Sequence, residues 1–131
     1  MKKSTSIIVL AIVTLLVFSL PINARYSYIT QLSGGLSIDS NGLANCTGSV
    51  KPSKSATSTD LKVTLEHYNN NEWNEVTSWT NSGSGMAMLT KSGKRYVDRG
   101  TYRVTVNVKV YDSSSGDLLE DETFITSEKI Y

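Results

Sequence analysis

Residues Val97 to Tyr111 read VDRGTYRVTVNVKVY, and the order of residue types along this stretch decides the fold class. From Tyr102 onward, Tyr102, Val104, Val106, Val108 and Val110 fall on alternate positions and share one face, while Arg103, Thr105, Asn107, Lys109 and Tyr111 share the other. A period of two is that of an extended chain, and one apolar face opposite one polar face marks an antiparallel strand half-buried against a core. LKVTLEHY repeats the pattern, with Leu61, Val63, Leu65 and His67 inward and Lys62, Thr64, Glu66 and Tyr68 outward. No stretch beyond residue 24 keeps a helical period over three turns.

Working outward, turn chemistry separates such runs at short intervals. IDSNGLA (Ile38 to Ala44) reverses through Asn41-Gly42, HYNNNEW (His67 to Trp73) through three asparagines, and YDSSSGDLLE (Tyr111 to Glu120) through serines and Gly116. Gly and Asn tolerate the positive φ that tight reversals need. Strands are therefore predicted near 26–32, 35–39, 43–50, 60–68, 72–79, 86–90, 101–111 and 117–126, with a polar crossing over 51–59. Such a series, with one polar face per strand, predicts an all-β, two-sheet antiparallel sandwich of about 7–8 strands.

The stretch VDRGTYRV resembles the corner of an immunoglobulin-type sandwich, in which a tyrosine precedes by two residues the cysteine that joins the sheets. That cysteine position is Val104 here. The corner needs the Tyr102 hydroxyl to bond to backbone a few residues upstream and a close approach at Gly100; it needs no cysteine, and Val104 supplies apolar volume instead. The resemblance implies an immunoglobulin-like domain, with Trp73 as candidate for its large central aromatic.

The chain opens with Lys2 and Lys3, an uncharged apolar run from Ile7 to Leu20, and Ala24 shortly after Pro21. These are the parts of a secretory signal peptide, cleaved after Ala24. A membrane anchor is the rival reading, but the run falls short of the roughly 17 to 25 residues that span a bilayer. The expected organisation is a signal peptide over 1–24 and a single domain over 25–131, secreted, extracellular or loosely cell-wall associated, and not inserted in a membrane after cleavage. Loss of Lys2 and Lys3, with all 12 acidic residues retained, turns the formal charge from +1 to about −1. So balanced a chain argues against nucleic acid as partner. The densest basic group, Lys91, Lys94, Arg95 and Arg99, is diluted by Ser, Gly, Val and Asp and reads as a solvated loop.

Cys46 is the sole cysteine, so no disulfide can form within the chain. It alternates with Ala44, Gly48 and Val50 on an apolar face, which favours a buried free thiol over an intermolecular disulfide. A second resemblance covers more of the chain. GLSIDSNGLANCTGSV, LKVTLEHYNNNEWNEVTSW and GTYRVTVNVKVYDSSSGDLLEDETF, in that order, are similar to a group of small exported β-sandwich proteins of Gram-positive bacteria. That group implies a signal peptide, a Gly-x-Ala-x-Cys strand and a hairpin carrying a Trp. It also implies a second cysteine just before the LKVTLEHY strand, where this chain has Ser58-Thr59-Asp60. It implies no activity.

Candidate sites are sparse. His67, the sole histidine, is the only base that could activate Cys46 or a serine, and a partly buried structural role is the simpler reading of its place at a strand end. Asp112, Asp117, Glu120, Asp121 and Glu122 bracket a turn, but Asp112-x-Ser114-x-Gly116 breaks the alternating oxygen series of a calcium loop. Glu72 with Glu75, or Glu120 with Glu122, are too close in sequence to oppose each other across a sugar. No metal or cofactor pattern is predicted, and no catalytic one. Trp79, Tyr68 and Tyr111 are the candidate ligand-binding aromatics. Strict alternation puts Trp73 and Trp79 on one face and Val76 on the other, so either a bulge brings Val76 inward or one Trp is exposed; both Trp are expected in or at the rim of the core. The expected function is a non-enzymatic module that binds an extracellular protein or surface polymer. A carbohydrate-binding module with exposed aromatics is the first alternative, and a small hydrolase using His67 the second.

Overall fold

The computed structural model describes residues 26–131. The signal peptide expected over 1–24 and its cleavage point lie outside the described residues. Among these there is no helix, and the strands are β1 (Ile29–Ile38), β2 (Leu43–Pro52), β3 (Thr57–Asn69), β4 (Glu72–Ser84), β5 (Leu89–Tyr96), β6 (Thr101–Asp112), β7 (Leu118–Ile125) and β8 (Lys129–Ile130). They form two antiparallel sheets: β1-β2-β5, and β4-β3-β6-β7 with β8 pairing the start of β6. In the constant-type immunoglobulin order the fourth strand joins the first, second and fifth. Here it pairs with the third instead. The cause is local: Asn70 and Asn71 take φ of 54° and 63°, making a two-residue turn that returns the chain directly alongside β3.

The core is a meeting of small with branched side chains. Leu61, Val63, Leu65, Tyr102, Val104, Val106, Val108 and Val110 fill it from the larger sheet; Ile29, Leu36, Ala44, Cys46 and Val50 meet them from the smaller. A Cβ on Gly48 would come within 2.7 Å of Val63 and 2.9 Å of Val106, so the sheets approach closely here and only glycine leaves room for both valines. β2 and β6 run in the same direction across this core. Gly42 lies against Tyr131, beside the start of β6, and Gly48 lies against Val106, so Cys46 faces the level of Val104.

Two sequence expectations are corrected. The segments 26–32 and 35–39 form the single strand β1, because Gly34-Gly35 pairs straight across to Gly48 and Thr47 and makes no turn; Gly34 is where Val106 enters. The strand expected at 86–90 runs instead from Leu89 to Tyr96 and takes in Lys91, Lys94 and Arg95, so only Arg99 of that basic group lies outside a strand. As an edge strand, β5 carries charge on both faces, which hides its alternation.

Candidate functional site

Residue pairing determines what the outer face of the larger sheet presents. Because β3 lies between β4 and β6, each outward residue of β3 has one neighbour on either side, and such opposed residues lie about 4.5–5.5 Å apart. One row reads Ser82, Asp60, Lys109, Asp121; the next Thr80, Lys62, Asn107, Thr123; the next Ser78, Thr64, Thr105, Ile125; and the next Glu75, Glu66, Arg103, with Trp73 and Tyr68 beyond it. Charges are compensated within and between the rows. Lys109 sits between Asp60 and Asp121, and Arg103 Nε donates to Glu66 Oε1 at 2.8 Å. Lys62 Nζ lies 3.8 Å from Glu75 across the sheet.

Over the first two rows the face dips into a shallow trough of about 570 Å³ that reaches from Tyr111 to Asn81. It is lined by carboxylate, hydroxyl, amide and ammonium groups, and Tyr111 is its aromatic wall. Asn81 holds the rim by donating to the Thr90 carbonyl of β5 at 2.9 Å. Asn107 Nδ2 bonds to Asp121 Oδ1 at 2.8 Å and to Thr123 Oγ1 at 3.1 Å, which fixes the orientation of that amide.

The aromatics divide otherwise than expected. Of the three candidate ligand-binding residues, Tyr68 and Tyr111 lie on the outer face, whereas Trp79 is opposite Val63 and packs against the core. An added Cβ on Gly93 would fall within the Trp79 indole, so this ring closes the β4/β5 margin of the sandwich. Trp73, expected as the central aromatic, is opposite Tyr68 on the outer face, half-buried, with its ring 5.1 Å from that of Tyr68 and the Arg103 guanidinium 4.2 Å above it. The cause is one residue. Leu65 pairs with Thr77 and Glu66 with Glu75, which leaves Val76 as a bulge and reverses the faces of β4 between its two tryptophans. Val76 then packs against the core. An apolar Val out of step between two Trp was the signal available in the sequence. Tyr68 and Tyr111 lie at opposite ends of the sheet, roughly 33 Å apart along β3, and so form no common platform.

At the corner, Tyr102 Oη donates to the Asp98 carbonyl at 2.8 Å. Tyr102 is 3% exposed, and burial first, then the charge of Asp98, raises its pKa and keeps the hydroxyl a donor. His67 stacks on Tyr102, ring centres 4.7 Å apart at 22°. A Cβ on Gly100 would meet His67 Nε2 at 2.5 Å, which accounts for the glycine. His67 thus packs the corner, as Val104 packs beneath it. Cys46 is fully buried, and burial pushes its thiol up to about 11, too weak an acid to supply thiolate at neutral pH.

The acidic turn uses its own oxygens. Asp112 Oδ1 accepts from Ser114 N at 2.9 Å, Ser114 Oγ at 2.7 Å and Ser115 N at 3.0 Å, bonds that lower its carboxyl to about 2. Glu120 accepts from Tyr28 N at 2.8 Å and Ser27 N at 3.3 Å, tying the start of the domain to β7. Among the described residues no group of three or more His, Cys, Asp or Glu is arranged to hold a metal. No protein-family model matches the chain, and no curated protein matches it in sequence.

Proposed function

We propose that the chain is an exported, non-enzymatic binding module whose recognition surface is the outer face of the larger sheet. It takes an extracellular protein or surface polymer into the trough bounded by Tyr111. The observation that carries this reading is the trough itself, where donors and acceptors from three strands converge beside one aromatic ring. Because Lys109 is flanked by two aspartates and Arg103 is paired to Glu66, the face suits a polar ligand of little net charge better than a polyanion. Ordered side chains on a rigid sheet also lower the entropy lost on binding.

Pull-down on isolated cell walls and titration with soluble wall glycan, followed by amide chemical shifts, test the reading. Shifts confined to residues 60–62, 80–82 and 107–111, with binding lost in Lys109→Ala and Tyr111→Ala and kept in Thr47→Ala on the opposite sheet, support it. Shifts confined to the other sheet overturn it.

The carbohydrate-binding alternative has one specific observation in its favour, the Tyr68–Trp73 pair backed by Arg103 beside the Asn70-Asn71 turn. Tyr68 is 43% exposed and offers a ring for stacking on a sugar. Loss of insoluble-glycan binding in Tyr68→Ala but not in Tyr111→Ala would move the site to that end of the sheet.

A further inference from the structure

Among the described residues the margins are β1 and β5 in the smaller sheet, and β4 and β7 in the larger, with the two-residue β8 continuing the β7 side of β6. A strand margin is a template for another strand, and charges or bulges normally guard it. β4 carries Glu72, Glu75 and the bulge at Val76. β5 carries Lys91, Lys94 and Arg95, and Asn81 occupies its Thr90 carbonyl. β7 carries Glu120, Asp121 and Glu122, with a register break opposite Val110 and Tyr111. β1, ITQLSGGLSI, has no charged residue; its register with β2 breaks at Thr30, near its start, and is unbroken from Gln31 to Ile38.

We propose that β1 is the margin through which two copies of this chain associate, antiparallel about a two-fold axis at Gly34, joining two three-stranded sheets into one of six. Charge selects the occupant. Self-pairing of β7, or of β5 about Gly93, would bring like charges together, which is destabilising, and the bulge at Val76 interrupts β4, whereas β1 meets its own copy with no charge. The faces select the register. Opposed residues must share a face, so the axis passes through a residue, and Gly34 is the choice that opposes Leu32 to Leu36 within the unbroken stretch from Gln31 to Ser37. Leu32 then meets the partner's Leu36 on the core side, twice by symmetry, while Gln31 meets the partner's Ser37 on the outer side. Both troughs face the same way in such a dimer, so a polymeric ligand would bind with avidity.

Sedimentation equilibrium of the purified protein from micromolar to millimolar concentration is expected to show a monomer–dimer equilibrium. Gln31→Glu/Ser37→Glu places two pairs of like charges across the axis and weakens association by roughly tenfold or more, with an unchanged thermal midpoint in dilute solution. Gln31→Cys/Ser37→Cys oxidises to a covalent dimer, and neither single variant does. A monomer at every concentration overturns the proposal. So does a dimer indifferent to the glutamate pair, or one abolished by Lys94→Glu, which would place the contact between β5 and β7.

Discussion

Replacing Gly93 by alanine is a one-methyl test of how the sandwich is closed. The added carbon would occupy the space of the Trp79 indole, so either the ring swings out or β5 moves off β4. Inserting volume into a packed interior costs about 1 to 3 kcal/mol. Alanine returns roughly 0.5 to 1 kcal/mol, because glycine in a strand loses more conformational freedom on folding. The expected net loss is about 1 to 2 kcal/mol. Trp79→Val removes the ring and its partly buried area at its own cost, roughly 2 to 3 kcal/mol. In that background Gly93→Ala has nothing to meet and becomes neutral or slightly stabilising, giving a coupling of about 1 to 3 kcal/mol in the cycle of four proteins. Urea melts followed by far-ultraviolet circular dichroism read all four. An equal effect of Gly93→Ala in both backgrounds would refute the contact, and with it the reversal of β4 at Val76.

Tyr102→Phe removes the bond to the Asp98 carbonyl while keeping the ring on His67, and is expected to cost on the order of 1 to 3 kcal/mol in the same melts. Thr105→Ala, on the outer face of the same strand, stays within about 0.5 kcal/mol of the parent, and an early-melting Thr105→Ala beside a normal Tyr102→Phe would refute the corner. Cys46 is expected to resist an aromatic disulfide reagent at pH 8 until the protein is unfolded, and stability to be unchanged by reductant; rapid labelling of the native protein would contradict the burial. The folded Asp112 carboxyl is depressed from 3.8 to about 2, so its contribution is complete above the unfolded value and disappears as pH falls through the folded one. Asp112→Asn should therefore narrow the stability difference between pH 5 and pH 2, and an unchanged pH profile would show that the turn does not depend on the charge.

Strands β3 and β6 were legible because both are central in one sheet with a wet outer face, so that Leu61, Val63 and Leu65, and Val104 to Val110, alternate cleanly. Margins obscure the same rule. β5 holds Lys91 and Arg95 on its core side because a strand at the margin can run long side chains out to water there, so hydropathy no longer reports the face. Gly34-Gly35 looks like a turn by composition, and its real cause, the approach of Val106, lies in a strand some seventy residues away. The outer face of the larger sheet was harder still. Nothing within β6 announces that Lys109 will lie between Asp60 and Asp121, since register between strands is a property of the assembled sheet. Tyr68 and Tyr111 could be recognised as outward from their own strands; Trp79 was open to both a core and a ligand-binding reading, because its direction depends on a single unpaired residue three positions earlier.

The seat facing Cys46 across the core is filled by Val104 and not by a second sulfur. The fold therefore reaches its final state by packing alone, and nothing in its interior waits for an electron acceptor. Wherever the chain is delivered, reducing or oxidising, folding makes no demand on a thiol oxidase or an isomerase. The lone thiol, walled in by the two sheets, is withheld from exchange with other proteins for as long as the sandwich stays closed. Maturation is thereby uncoupled from redox chemistry, and the same domain can serve in compartments that differ in it.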